Sequence, residues 1–352
     1  MAGERIAVFG AGALGGYVGG YLTRAGRDVT LIDPWPDHVA RMLDPGLQLS
    51  GLTEPENFTV KCKAVLLDDL PAPGGIGPFD LIFIAVKSFD TKPAAERMKP
   101  YLAAPDGFMA SLQNGINEPA IAAVVGRERT LGVIASQISV ALWEAGKVQR
   151  NVKLGGATHT VFRVGELDGR VTERATRVAA MLADIDSSKV TETLMDERWS
   201  KLVANCMRNP VSAATGLGSN ACDTDDHIRR LGIRIAAEAI AVARAEGFTV
   251  EKILGISPDL LQAAGQGDAA ALAACDKSLL DGRARRSDAQ RPSMGQDMVK
   301  GRRTEIDFLN GLVVEAARRH GIPVPANEGI VRAIKRIEAG EIRPSPEAVA
   351  GI

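Results

Sequence analysis

The first thirty residues change their hydrophobic period twice. Residues 6–9 (Ile-Ala-Val-Phe) form an unbroken apolar run, as expected of a strand buried on both faces of a parallel sheet. Leu14, Val18, Tyr21, Leu22 and Ala25 then recur at helical spacing until Gly26 stops the pattern, and residues 29–32 return to an apolar run. Gly10-x-Gly12-x-x-Gly15 stands between the first run and the helix. Strand, glycine turn, helix and strand at this spacing make a dinucleotide-binding fingerprint.

The pattern loosens over 34–78, where 47–49 and 58–67 read as strands, and sharpens again at 81–86 (Leu-Ile-Phe-Ile-Ala-Val). A helix over 91–102 and a strand over 107–112 follow, then strands at 130–140, 148–154 and 160–164 that would finish the sheet. Residues 172–185 form an amphipathic helix with Val178, Met181, Leu182 and Ile185 on one face. Beyond 192 the strand signal fades. Helices are expected over 199–210 and 226–246, from about 300 to the turn at 319–325, and from there to about 339. The pattern predicts an α/β chain: a Rossmann-type dinucleotide-binding domain (1–187) followed by an all-helical domain (188–352).

Each glycine of the turn has its own task. Gly10 allows the tight turn, Gly12 lets the backbone approach a pyrophosphate, and Gly15 lets helix and strand pack closely. The helix start supplies free N–H groups and a positive dipole end, so Gly10, Ala11, Gly12, Ala13, Leu14 and Gly15 are the candidate cofactor contacts. Asp33 ends the second strand twenty-three residues after Gly10. A carboxylate there accepts from both ribose hydroxyls and repels a 2′-phosphate, which favours NAD over NADP; its plainer use is a turn residue before Pro34. Lys87, just past the strand at 81–86, falls where ligands of parallel sheets sit, and is either a cofactor contact or a solvated loop lysine. Asn114 in Gln113-Asn-Gly115 can donate to a substrate carboxylate or the cofactor, cap the helix beginning near Asn117, or sit in a turn with positive φ.

In the helical half, Lys201, Asn205 and Asn209 fall at i, i+4 and i+8, so one helix face carries an amine and two amides. Leu202, Val203, Cys206 and Met207 fill the other sides. Asn is a mediocre helix former, so this polar line points to a cleft more than to solvent. Glu305 is read as a surface residue of the helix opening at 300, and the arginines between Arg283 and Arg303 as a solvated face.

Composition narrows the chemistry. The 352 residues are 45% hydrophobic and 24% charged with a net charge of −1, which suggests no nucleic-acid or membrane partner. Four cysteines and four histidines (His38, His159, His227, His320) form no metal-ligand cluster. No apolar run approaches eighteen residues and the first strand starts almost at Met1, so a cytoplasmic protein is expected.

The ordered set Gly10-Ala-Gly-Ala-Leu-Gly-Gly16, Val86-Lys-Ser88, Gln113-Asn-Gly115, Lys201-Leu-Val-Ala-Asn205 with Asn209-Pro210, Ser293-Met-x-Gln-Asp297 and Gly301-Arg-Arg-Thr-Glu-Ile-Asp307 with Asn310-Gly311 resembles the ketopantoate reductase (2-dehydropantoate 2-reductase) family. The resemblance spans about residues 6–327. It implies reduction of ketopantoate by a nicotinamide cofactor, with Lys201 in an interdomain cleft as proton donor to the carbonyl oxygen and Glu305 holding a substrate hydroxyl near it. Asn205, Asn209 and Ser293 would bind the carboxylate end, and Asn114 would bridge substrate and nicotinamide. The turn residues, Asp33, Lys87, Asn114 and Glu305 would contact the cofactor. Desolvation would favour a lysine acid titrating near neutrality, while a neighbouring Glu305 acts in the opposite sense.

Members that use NADP tend to carry Arg where Asp33 stands; the segment 257–292 is long, and Arg291-Pro-Ser293 replaces the more usual Ser-Ser or Pro-Ser. Family members also act on other 2-oxo acids or secondary alcohols, so an NAD-dependent dehydrogenase of another hydroxy acid is a second reading. A non-catalytic NAD-binding regulator is a third, opposed by the intact Lys201, Asn205 and Glu305. A homodimer through the helical half is expected.

Overall fold

The computed structural model describes residues 3–285 and 291–352, and the chain divides into two compact units between Leu194 and Met195. The first unit runs β1 (Arg5–Phe9), α1 (Ala13–Arg24), β2 (Asp28–Asp33), α2 (Pro36–Arg41), β3 (Leu47–Ser50), β4 (Phe58–Val60), β5 (Lys63–Leu66), β6 (Leu81–Ile84), α3 (Thr91–Met98), β7 (Phe108–Ser111), α4 (Glu118–Val125), β8 (Thr130–Ala135), β9 (Val140–Glu144), β10 (Lys147–Arg150), β11 (Phe162–Glu166), α5 (Glu173–Ala183) and β12 (Ser188–Val190). Eight strands form one sheet in the order β12-β11-β8-β7-β6-β1-β2-β5, parallel throughout except where β11 meets β8.

The unbroken apolar run of β1 is explained by its two faces. Ile6 and Val8 enter one core with α1 and α5, while Ala7 and Phe9 enter the other with α3 and α4. After β1 the chain builds outward through β2 and β5 on one side, then returns to β6 on the other. The carboxyl ends of β1 and β6 are therefore a topological switch point, the crevice in which open α/β sheets bind their ligands.

Several sequence expectations are corrected by partner choice. Residues 58–67 are two strands, β4 and β5, in different sheets. Residues 130–140 likewise break after Ala135. β9 and β10 leave the main sheet and join β3 and β4 in a second sheet ordered β4-β3-β10-β9. Apolar alternation announces a strand but not the neighbour it pairs with. β12, lying past the expected boundary at 188, pairs with β11 and so keeps the first unit intact to Leu194.

The second sheet packs on α1, where Gly16 lies against Val148 and Gly20 against Leu47 and Leu49. Arg150 ties this layer down. Fully buried, it donates to Asp186 Oδ2 at 2.7 Å, to the Val152 and Lys153 carbonyls at 2.9 Å and to Tyr17 Oη at 3.2 Å. Burial opposes ionisation of Asp186, but the amides of Gly155, Ser187 and Gly156 together with Arg150 outweigh it and hold the carboxyl below its usual range.

The second unit is helical: α6 (Leu194–Thr215), α7 (Ser219–Thr224), α8 (Asp226–Ala245), α9 (Pro258–Gly265), α10 (Ala269–Asp281), α11 (Ser293–Val299), α12 (Asn310–His320) and α13 (Pro325–Glu338). Its only strand-like pairing among the described residues is an isolated bridge between Ile253 and Ile256. The expected helix from 300 does not form. Gly301 takes φ +62° and Leu309 sits at φ −109°, ψ −94°, so α12 begins only at Asn310. The segment 257–292 is largely α9 and α10, with residues 286–290, Arg286 among them, outside the described residues. No described helix is long and apolar enough to cross a membrane.

Candidate active site

The glycine turn follows β1 at the switch point. Gly10 adopts φ +95°, and a Cβ there would lie 2.8 Å from Val86 Cγ1 and 2.9 Å from Val86 N. Conformation and space both demand glycine. A Cβ on Gly15 would lie 2.0 Å from Gly10 O, so this residue lets α1 close onto the turn. Gly12 differs: a Cβ there would meet nothing within 4 Å. Its side opens onto free space at the N-terminus of α1, whose first turn carries no acidic residue. The amides of Gly12, Ala13 and Leu14 find no backbone acceptor among the described residues. An open glycine, free amides and an uncompensated helix dipole fit a pyrophosphate. Ala11 contributes shape, being fully buried with its N–H donated to Ile32 O at 3.3 Å and its carbonyl accepting from His38 at 2.8 Å.

Asp33 closes β2 and is buried, with Oδ1 accepting from Trp35 N at 3.0 Å. It is thus a turn-forming residue at the carboxyl end of β2. Lys87 follows β6 in extended conformation and is half-buried, unlike a solvated loop lysine.

Asn114 neither caps a helix nor takes positive φ. Asn117 precedes α4, and the positive φ (+77°) belongs to Gly115. A buried polar network supports Asn114 from below. Its carbonyl accepts from Asn117 Nδ2 at 2.6 Å and from Ser88 Oγ at 3.3 Å. Thr91 Oγ1 lies 2.8 Å from Ser88 O and 3.1 Å from Asn117 Oδ1, and accepts from Gln113 Nε2 at 2.8 Å. Gln113 also donates to Val86 O at 2.8 Å. With its backbone clamped, Asn114 presents a half-buried side chain at the end of β7. Sequence reasoning missed this support, although Gln113, Thr91 and Asn117 all lie within four residues of a strand end on β6 or β7 or of a helix start.

In the second unit, α6 is one continuous helix, so Lys201, Asn205 and Asn209 do share a face while Leu202, Val203, Cys206 and Met207 are buried behind them. Lys201 and Asn205 are half-buried and Asn209 is buried. Asn205 Nδ2 is out of contact with solvent and has no hydrogen-bond partner among the described residues, a donor of the kind that a buried acceptor would satisfy. Asn209 Nδ2 donates to Ser293 Oγ at 3.3 Å, joining two residues 84 positions apart. Ser293 opens α11 beneath Arg291, whose guanidinium donates to Gly216 O at 2.5 Å while its own carbonyl accepts from Gln296 Nε2 at 3.2 Å. Glu305 is not a helix surface residue: it is buried ahead of a short 3-10 turn, and its carbonyl accepts from the amides of Phe308 and Leu309. Cys206 behind the polar face has its thiol pushed up by burial, which keeps it unreactive.

A doubly wound unit with this glycine turn, followed by a helical unit carrying an amine and amides on one face, defines a class: an NAD(P)-dependent oxidoreductase. The family model for ketopantoate reductase PanE/ApbA matches residues 6–164, and that for the ketopantoate reductase PanE/ApbA C terminal matches residues 193–338. The 2-dehydropantoate 2-reductase of Halobacterium salinarum is 31% identical over 323 residues, covering 91% of this chain and 94% of its own. A PanE/ApbA family ketopantoate reductase from Ralstonia eutropha JMP134 superimposes with a TM-score of 0.76 at 28% identity, over 96% of this chain and 99% of its own. A D-mandelate dehydrogenase solved with NADH and anilino(oxo)acetate shares the fold, with a TM-score of 0.76 at 21% identity over 96% of this chain and 99% of its own. The chain belongs to the ketopantoate reductase PanE/ApbA family.

Proposed function

We propose that this oxidoreductase is an NAD-linked 2-dehydropantoate 2-reductase, reducing the 2-oxo group of ketopantoate to the alcohol of pantoate. The observation that carries the reading is the α6 face, where an amine stands one turn from a buried amide donor with no partner among the described residues and two turns from an amide paired with Ser293. A small 2-oxo acid needs just this: neutral donors for its carboxylate and one proton for its carbonyl oxygen.

Residues Gly10–Gly15 would hold a nicotinamide cofactor, with Asp33 at its ribose, and the bound cofactor would supply the hydride. Lys201 Nζ gives its proton to the carbonyl oxygen as that oxygen gains charge, and is left as a neutral amine to be reprotonated from solvent. Asn205, Asn209 and Ser293 donate to the substrate carboxylate, so no second cation competes with Lys201 for the developing oxyanion. Asn114, rigid on its buried network, orients the reacting carbon, and Glu305 accepts from the substrate hydroxyl. Asp33 disfavours a 2′-phosphate, which sets the preference for NADH.

The test is the loss of reduced-nicotinamide absorbance with ketopantoate, NADH and NADPH compared side by side. Rapid oxidation of NADH alone is expected. Faster oxidation of NADPH would remove Asp33 from its role; binding of NADH without turnover would move the substrate to another 2-oxo or hydroxy acid.

A further inference from the structure

His38 is the one histidine of the chain that is fully buried, and both its ring nitrogens are used. Gly146 N–H donates to Nδ1 at 2.8 Å, so Nε2 carries the ring hydrogen and donates to Ala11 O at 2.8 Å. Gly146 lies in the turn between β9 and β10 and Ala11 in the glycine turn, so the imidazole bridges positions 108 residues and 27 residues away. Trp35 stacks on the ring with centroids 5.6 Å apart and planes 27° from parallel, and its backbone N–H donates to Asp33 Oδ1.

We infer that His38 is a positioning residue for dinucleotide binding: by holding the Ala11 carbonyl it aims the Gly12 N–H at the cofactor's pyrophosphate. The argument rests on the planarity of one peptide. Ala11 C=O and Gly12 N–H belong to the same peptide unit, which is trans, so they point in opposite directions. Fixing the carbonyl toward His38 turns the amide the other way. A Cβ on Gly12 would meet nothing within 4 Å, so that amide belongs to the residue with open space beside it. The amides of Gly10 and Ala11, in the peptide units just before, are both tied to Ile32 O, so the chain entering this peptide is fixed and the His38 contact is what sets the direction of its carbonyl. Through Gly146 the second sheet becomes the outer support of the phosphate turn. Through Trp35 the same imidazole links that turn to the acidic end of β2.

The inference rests on dinucleotide binding and not on the substrate proposed above, so it is tested by binding alone. NADH fluorescence titration is run on the full chain and on His38→Leu, His38→Asn and His38→Gln, with thermal unfolding in parallel. Gln can donate to Ala11 and accept from Gly146; Asn is too short to span both, and Leu does neither. His38→Leu should weaken NADH at least tenfold, and His38→Gln should return it to within about threefold of the parent chain. If His38→Leu does not fold, His38→Asn against His38→Gln carries the same contrast. NADH affinity in a folded Leu or Asn variant equal to that of the parent chain, or a Gln variant no better than Leu, overturns the inference. Failure to turn over ketopantoate leaves this readout intact and speaks only against the substrate.

Discussion

The phosphate turn and the polar face of α6 are both candidate binding surfaces, yet they are built by opposite means. The turn works through its backbone. Its information lies in the absence of side chains, at Gly10 because φ is +95° and at Gly15 because a Cβ would strike Gly10 O. The face works through side chains on a regular helix that any sequence of good helix formers could build. Its partners come from far along the chain, as Ser293 comes to Asn209. A backbone site tolerates almost no substitution but is indifferent to chemistry, whereas a side-chain site tolerates truncation and is specific. Single changes should therefore fail differently in the two places.

The largest effect belongs to the face. Lys201→Ala should lower turnover by roughly 10²- to 10⁴-fold, the usual share of a general acid, while NADH binds as before in a fluorescence titration. Turnover at the parent level would strip Lys201 of its role.

Next comes a contrast inside the turn itself. Gly15→Ala forces backbone atoms apart and should lower unfolding stability by about 1–3 kcal/mol as well as weakening NADH. Gly12→Ala has room for its methyl, so its melting temperature should match the parent chain while NADH affinity falls at least tenfold, the methyl standing where phosphate must approach. Equal destabilisation by both variants would mean that Gly12 serves packing alone.

The difference in construction also explains what could be read from sequence. Gly10, Gly12, Gly15 and Asp33 sit within one strand–helix–strand unit, so their spacing is their geometry. Lys201, Asn205 and Asn209 were legible for the same reason, being successive turns of one helix. Glu305 was misplaced because the apolar stripe of Ile306, Leu309 and Val313 imitates a helix, and only the backbone at Gly301 and Leu309 shows the break. The second sheet was missed because β10 pairs with β3, nearly a hundred residues earlier, which periodicity does not encode. His38 was invisible as well. Its role depends on Gly146, a turn in that same unforeseen sheet, and a lone histidine among scattered ones carries no spacing signal.

The smallest effect sharpens the contrast most. Asn209→Ala and Ser293→Ala each remove one side of a 3.3 Å contact and, by the proposed reading, one donor to a substrate carboxylate. A single neutral hydrogen bond contributes about 1 kcal/mol net, and one to a charged acceptor about 1.5–3. Each variant should therefore raise the KM for ketopantoate by roughly tenfold, leaving NADH affinity and kcat within about twofold. Because the two residues contact each other, the double variant should fall short of the product of the two single effects. A double variant that reaches the full product would mean that Asn209 and Ser293 act separately and that their contact is incidental. A rise in the NADH dissociation constant instead would assign the pair to the cofactor, and the division of labour between turn and face would have to be redrawn.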